Sequence, residues 1–477
     1  MKGIKKTLYD YFNLDKYNTS INMEFMAGLT TFLSMCYILV VNSSIIANIN
    51  GVSFNAIYIA TASATIIGTL LLGIFAKLPI AQSTGLGINA FFVYTCCLSF
   101  KFTYANSLVF VLIDGIIFLL LTVTGLRGII FDSLPKCITM AISVGIGLFI
   151  AFVGLQNVGI IVNNPSTCVT LSSFNIIGEA DWSKIMPFLV ILLTFTTLIT
   201  LLKKGVKTGV FWAILIGTGL YYLLGLTVPE FYSNHTFNVN LNPFNSFKEF
   251  YNISFGKVFT EGFDFSFYLS HTDNNKATLV VEFITTSLAF CMLNMFDSLG
   301  TLYGCCKAGD LYEENNKGEK VALGLNKAMA SDAIATIIAS VCGTSTQTLF
   351  MESTSGISAG GRTGLTAFVV ALLFFVAMFF APIASLVPPC AYCAALIYVG
   401  LLMIGGIKDL DLSNLEVATP AFLTIIMIPF TYNISFGIAF GLLSYVLIKV
   451  FLWKVKDIKP ATWVLFFLFC ALFLFTH

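Results

Sequence analysis

The sequence predicts an all-α polytopic membrane protein with about fourteen transmembrane spans in two inverted repeats of seven. Three observations predict it. The 477-residue chain is 57% hydrophobic and only 10% charged, with a mean hydropathy of +0.89, whereas soluble domains carry about 25% charged residues. Its apolar runs have the length that a bilayer core demands. Two segments broken by Gly, Ser and Thr recur in corresponding places of the two halves. The same composition, with its 47 Phe, excludes a disordered chain. A formal net charge of +1 implies no polyanion partner, and a nucleic-acid partner is not expected.

The N-terminal segment, 1–22, is basic and aromatic without an apolar core, so it reads as a cytoplasmic segment rather than a secretory leader. Seven spans follow, near 23–47, 56–76, 80–98, 105–125, 137–158, 184–202 and 208–226. A polar stretch, 227–278, separates them from seven more, near 279–301, 328–346, 347–360, 363–382, 388–406, 414–431 and 433–452. The C-terminal segment, 453–477, holds an apolar stretch, 461–476, too short to assign as interfacial, re-entrant or a fifteenth crossing. Alternating sides from a cytoplasmic N-terminus puts only Lys101, Lys184, Lys248, Lys257 and Lys276 outside. The other twenty of the 25 Lys and Arg fall inside, the bias that cytoplasmic loops carry. The 227–278 loop is then extracellular, with glycosylation patterns at Asn234 and Asn252. Twelve Cys lie mostly within apolar runs, Cys168 excepted, and lack zinc-ligand spacing, so neither a disulfide framework nor a metal is expected.

Internal matches support a repeat. Thr30 to Cys36 matches Thr285 to Cys291, and Asn42-Ser43 then meets Asp297-Ser298. Pro135 to Cys137 with Gly147-Leu148 matches Pro388 to Cys390 with Gly400-Leu401. Seven is odd, so the second copy must be inverted. The third span of each half holds a broken segment, Ala81 to Phe92 and Gly343 to Gly356, and at an offset of 263 Asn89 faces Glu352. Such sequences form helix poorly. Unwound backbone at membrane depth is tolerated only beside a cavity, and paired broken segments point to a midplane site in a secondary transporter.

Ionisable groups inside spans are costly and mark function. The candidates are Asp114, Glu282, Asp297, Glu352 and Glu416; Glu24 and Asp332 read as solvated flanks at span ends. Asp297 is deep in its span with Asn294 three residues earlier on the same face. Glu352 opens the half-helix after a broken segment, where the dipole supports an anion. Two carboxylates without a nearby cation suit a substrate rich in N–H donors. Phe91 and Phe92 could stack on a flat ring, although packing is the ordinary role. None of His235, His271 and His477 lies in a span, so a proton relay would have to use carboxylates; sodium coupling stays open. There is no phosphate-binding loop, metal cluster or nucleophile with a base, so no enzyme and no cofactor is expected.

Several stretches resemble AzgA-like hypoxanthine/guanine permeases of the nucleobase and ascorbate transporter superfamily. They are AGLTTFLSMCYILVVNSSII from Ala27, TGLGINAFFVYT (84–95), FDSLGTLYG (296–304), KAMASDAIAT (327–336), GTSTQTLFMESTSGISAGGRTGLTA (343–367) and LIYVGLLM (396–403). The resemblance covers about 20–460. It implies two domains, a core of 23–125 with 279–382 and a gate of 137–226 with 388–452. It also implies a purine bound between them and proton symport. The charge bias and the lack of targeting signals fit a plasma membrane. By motif, the span-eight and span-ten carboxylates are Asp297 and Glu352, either of which would carry the proton. Asn89, Gly87 and Ala90 would line the third span, and Ser353 stands beside Glu352. Asn294 occupies a position where the family often has a second acid. Relatives can form homodimers. The expectation is therefore a proton-coupled importer of hypoxanthine and guanine, with adenine left open; an anion exchanger or channel on this architecture, or a membrane receptor, are the alternatives.

Overall fold

Apolar runs of bilayer length become helices along the whole chain. The computed structural model describes residues 9–125, 135–174, 181–227, 242–271, 276–314 and 320–475. Helices α1 (Ile21–Ile46), α2 (Phe54–Ala76), α3 (Leu86–Ser99), α4 (Tyr104–Thr124), α5 (Lys136–Asn157), α6 (Trp182–Lys203) and α7 (Gly209–Leu226) make the first half. The second half comprises α8 (Lys276–Gly309), α9 (Leu325–Cys342), the six-residue α10 (Ser353–Ser358), α11 (Gly364–Ala384), α12 (Pro389–Lys408), α13 (Leu415–Thr431) and α14 (Ile434–Phe451). Among the described residues, eleven of these helices are long and apolar enough to cross a membrane.

Among the described residues, three two-stranded antiparallel ribbons interrupt the helices. Strands β2 (Ile161–Asn164) and β3 (Cys168–Leu171) form a hairpin between α5 and α6, and β4 (Tyr312–Glu314) and β5 (Lys320–Ala322) pair between α8 and α9. The important pair is β1 (Gln82–Thr84) with β6 (Gln347–Leu349), which lies inside the bundle.

Packing separates two groups of helices. α1 to α4 pack chiefly with α8 to α11, whereas α5 to α7 pack with α12 to α14. Close crossings use glycine where backbones must meet. A Cβ on Gly147 of α5 would stand 2.8 Å from the Gly400 carbonyl of α12. One on Gly400 would stand 2.5 Å from the Gly147 carbonyl, so the two repeat-matched glycines face each other.

The structure alters several expected bounds. α8 runs 34 residues, past 301, because nothing in Gly300 to Gly309 stops it before Asp310 enters the left-handed region. α9 ends at Cys342, where Gly343 is also left-handed (φ +85°). The 227–278 stretch is not plain loop: its described part holds short helices Pro243–Glu249 and Ser266–His271. These residues pack onto the bundle, and Asn106 donates to the Gly262 and Asp264 carbonyls, each at 2.8 Å. Asn252 is exposed; Asn234, His235, His477 and Arg127 lie outside the described residues. The apolar C-terminal stretch is a 16-residue helix, α15 (Pro460–Phe475). It runs back along α14, and its Phe473 stacks on Phe436 in the first turn of that helix, centroids 5.7 Å apart.

Candidate functional site

The broken segments meet each other. Gln82 pairs with Leu349, Ser83 with Thr348 and Thr84 with Gln347. The Phe350 amide donates to the Ala81 carbonyl at 3.0 Å, and the Ala81 amide donates to Ser353 Oγ at 3.0 Å. Each strand is also held by a threonine of the helix before it: Thr69 of α2 donates to the Gln82 carbonyl (3.1 Å) and Thr336 of α9 to the Gln347 carbonyl (3.2 Å). Ser, Thr and Gly compete poorly for helix, so the runs Ser83 to Gly85 and Gly343 to Thr346 extend, and each half satisfies the other's backbone.

Glu352 stands at the N-cap of α10 and is half-buried. Its Oε1 accepts from the Tyr37 hydroxyl of α1 at 2.5 Å. Tyr398 of α12 lies near enough to interact electrostatically with it. Asp297 of α8 lies within reach of the Thr348 hydroxyl and of the Glu352 charge. Although central in the molecule, Asp297 is exposed, and so are Gly300, Tyr303 and Lys307 below it. At about 100° per residue this stripe lies opposite the exposed apolar Val280 and Ile284 of the same helix. It lines an internal crevice opening toward the end where α1 begins. Toward the other end the stripe closes, with Phe290, Leu293 and Asn294 buried. There Tyr94 of α3, Phe149 of α5 and Tyr432 after α13 pack edge to face, with centroids 5.4–6.0 Å apart. Thr95 adds a hydrogen bond to the Tyr432 carbonyl at 3.0 Å. The ion pairs found among the described residues join Lys184, Lys257, Lys449 and Lys454 to acids near helix ends and in connecting segments, away from Asp297 and Glu352.

The other expected site residues take varied positions. Gly87 is half-exposed and faces α5; a Cβ there would stand 2.5 Å from Ile146 Cγ2. Asn89 and Ala90 are buried behind it, with Asn89 Nδ2 donating to Thr84 Oγ1 at 3.3 Å and its Oδ1 unpartnered. Phe91 is fully buried against Phe290 (4.8 Å) and Phe92 against Tyr104 (6.1 Å), the packing role rather than the stacking one. Ser353 is buried and ties the two broken segments together. Asn294 turns away from the crevice: its Nδ2 donates to Asp114 Oδ2 at 3.2 Å, and Thr346 donates to the same oxygen at 3.0 Å. Asp114 therefore belongs to a buried network. Glu282 is buried and accepts from Tyr268 at 2.8 Å. Glu416 pairs with Lys449 (2.9 Å) and Lys454 at a helix end.

The two expected solvated flanks are corrected outright, since Glu24 and Asp332 are both completely buried. Asp332 sits beside Ser298 of α8. Glu24 accepts from the amides of Arg362 (3.0 Å), Thr363 (3.3 Å) and Thr366 (3.2 Å) and from the Thr366 hydroxyl (2.5 Å), so it caps the start of α11. The Arg362 guanidinium donates to the Ile357 carbonyl at 2.6 Å, closing the end of α10. The GGRTG stretch is thus the joint that fixes the half-helix to α1. α10 has only six residues, so Tyr37, more than any helix dipole, holds Glu352. Tyr37 and Tyr398 were missed by sequence reasoning, and nothing local in the sequence sets either apart from the other Tyr.

Residues 22–440 match a permease family profile, Xan_ur_permease. The chain is 34% identical to the guanine/hypoxanthine permease PbuG of Bacillus subtilis over 474 residues, covering 98% of this chain and 99% of that one. It is 32% identical to the adenine permease AdeP of Escherichia coli over 458 residues, covering 96% and 94%. Among solved structures, the transmembrane domain of the cyanobacterial bicarbonate transporter BicA superposes with a TM-score of 0.59 at 13% identity, covering 87% of this chain and 96% of that one. That is a likeness of fold, the same inverted-repeat architecture.

Proposed function

Since this chain belongs to the permease family matched over 22–440, we propose that it is a purine nucleobase carrier, importing hypoxanthine and guanine by proton symport. The observation that carries the reading is the pair Glu352 and Asp297, close enough for their charges to interact, at an accessible crevice and away from the ion-paired Lys residues. A carboxylate offers two acceptor oxygens side by side, and a purine presents N–H groups along its edges. An anion would meet repulsion there. The names of the relatives, guanine/hypoxanthine and adenine permeases, support the substrate class.

In this reading α1 to α4 with α8 to α11 form the core, and α5 to α7 with α12 to α14 the gate, in keeping with the two packing groups. The base lies between them. Glu352 and Asp297 accept its N–H bonds, and one of them carries the proton. The half-exposed Gly87 backbone completes the polar frame, with Asn89 and Ala90 behind it. With the N-terminus in the cytoplasm of a plasma-membrane protein, the open crevice faces inward and the Tyr94–Phe149–Tyr432 cluster closes the outside. Rocking of core against gate then alternates access.

The test is radiolabelled hypoxanthine uptake by Glu352→Gln and Asp297→Ala, at matched surface amounts. Both lose high-affinity uptake. Normal transport by Glu352→Gln across the pH range, or retained affinity in Asp297→Ala, removes that residue from the site.

A further inference from the structure

A cavity of about 380 Å³ lies between α7 on one side and α1, α2 and α11 on the other, continuing along the segment between α11 and α12. We propose that it is a binding site for one hydrocarbon chain of a bilayer lipid, which rests against the back of Tyr37. The volume would hold about a dozen waters. Water gains nothing there, because each polar side-chain group on the wall already serves the protein. The Tyr37 hydroxyl donates to Glu352, the Tyr58 hydroxyl to the Ala377 carbonyl (3.1 Å) and Cys36 Sγ to the Leu33 carbonyl (3.8 Å). A polar or charged ligand finds no partner for the same reason.

The mouth is rimmed by exposed apolar side chains, including Leu215 (46% exposed), Val376 (49%) and Phe380 (51%). These lie on or beside membrane-spanning helices, so the phase outside the mouth is lipid hydrocarbon. The cavity straddles the two packing groups, α7 belonging to one and α1 and α11 to the other. Its occupant therefore fills space that relative movement of the groups must change. Tyr37 presents its ring to the cavity and its hydroxyl to Glu352. The inference rests on the chain spanning a membrane and not on which substrate it carries.

The experiment is photolabelling of the full-length protein in phosphatidylcholine vesicles. A fraction of the lipid carries a diazirine midway along one acyl chain, and adducts are mapped by mass spectrometry. The expected result is labelling at Leu33, Cys36, Leu215 and Val376 at least fivefold above that at Leu120 and Phe430, which are exposed on spans outside the cavity. Val376→Trp, which fills the mouth, lowers cavity labelling to that background. Should this variant not fold, the ratio in the unaltered protein still decides. Cavity labelling no higher than at Leu120 and Phe430 overturns the proposal. Labelling of the cavity residues by diazirine-bearing free palmitate but not by the phospholipid overturns the assignment to a bilayer lipid.

Discussion

Replacing Tyr37 by Phe removes one hydroxyl and leaves the ring, which is 4% exposed and packed in the wall of α1. The hydroxyl donates to Glu352 at 2.5 Å. A hydrogen bond to a charged group contributes about 1.5–3 kcal/mol. Glu352 is half-buried and faces the crevice, so water replaces part of what is lost and the lower figure applies. About 1.5 kcal/mol corresponds to roughly a tenfold fall in kcat/KM for purine uptake. The assay is initial-rate hypoxanthine uptake against concentration, with surface protein quantified for each variant. Tyr58→Phe is the control, because Tyr58 lines the same cavity but donates to the Ala377 carbonyl, remote from the carboxylates. It should keep kcat/KM within about twofold, as loss of a hydrogen bond outside the site affects stability rather than transition-state binding. Unchanged kcat/KM in Tyr37→Phe, or an equal fall in both variants, would refute the claim that Tyr37 sets Glu352 for binding.

Other predictions follow from the same geometry. Glu24→Ala takes the acceptor from the Arg362 and Thr363 amides and one of two acceptors from the amide and hydroxyl of Thr366, a loss of about 2–5 kcal/mol visible as a lower thermal midpoint in detergent; an unshifted midpoint would contradict the capping role. Gly400→Leu drives a Cβ to 2.5 Å from the Gly147 carbonyl and 2.9 Å from Ala151, so it should cost at least about 1–3 kcal/mol and reduce the yield of folded protein; a normal yield would mean that α5 and α12 separate freely. A Cβ on Gly300 meets nothing within 4 Å. Gly300→Cys, made without the exposed Cys168, should therefore react with an impermeant thiol reagent applied at the N-terminal face. It should be protected by hypoxanthine, and reaction only from the opposite face would reverse the proposed opening.

Much of the fold was legible because bilayer length acts on whole segments. The match of Gly147 with Gly400 anticipated a crossing that the structure places backbone to backbone. The poor helix formers around Ser83 and Thr346 anticipated unwinding, though not that the two segments pair. Glu24 and Asp332 were misread because position near a span end says nothing about which helix covers the side chain. Their partners lie on other elements, 338 residues away in the case of Glu24 and Arg362. The same limit hid the bond between Asn294 and Asp114, 180 residues apart. Tyr37 escaped notice since it is one of 18 Tyr in a chain rich in aromatics; only its distance from Glu352 singles it out. Phe91 and Phe92 carried no signal separating a stacking surface from a packed wall.

The most direct test of the central claim is radiolabelled hypoxanthine uptake in cells lacking their own nucleobase carriers. It should be run at pH 5.5 and 7.5, with and without a protonophore, against excess unlabelled guanine or uracil. The account predicts saturable uptake that is stronger in acid, collapses with the protonophore and is blocked by guanine. Absence of uptake by protein shown to be at the cell surface, with bicarbonate or chloride flux in its place, would contradict it.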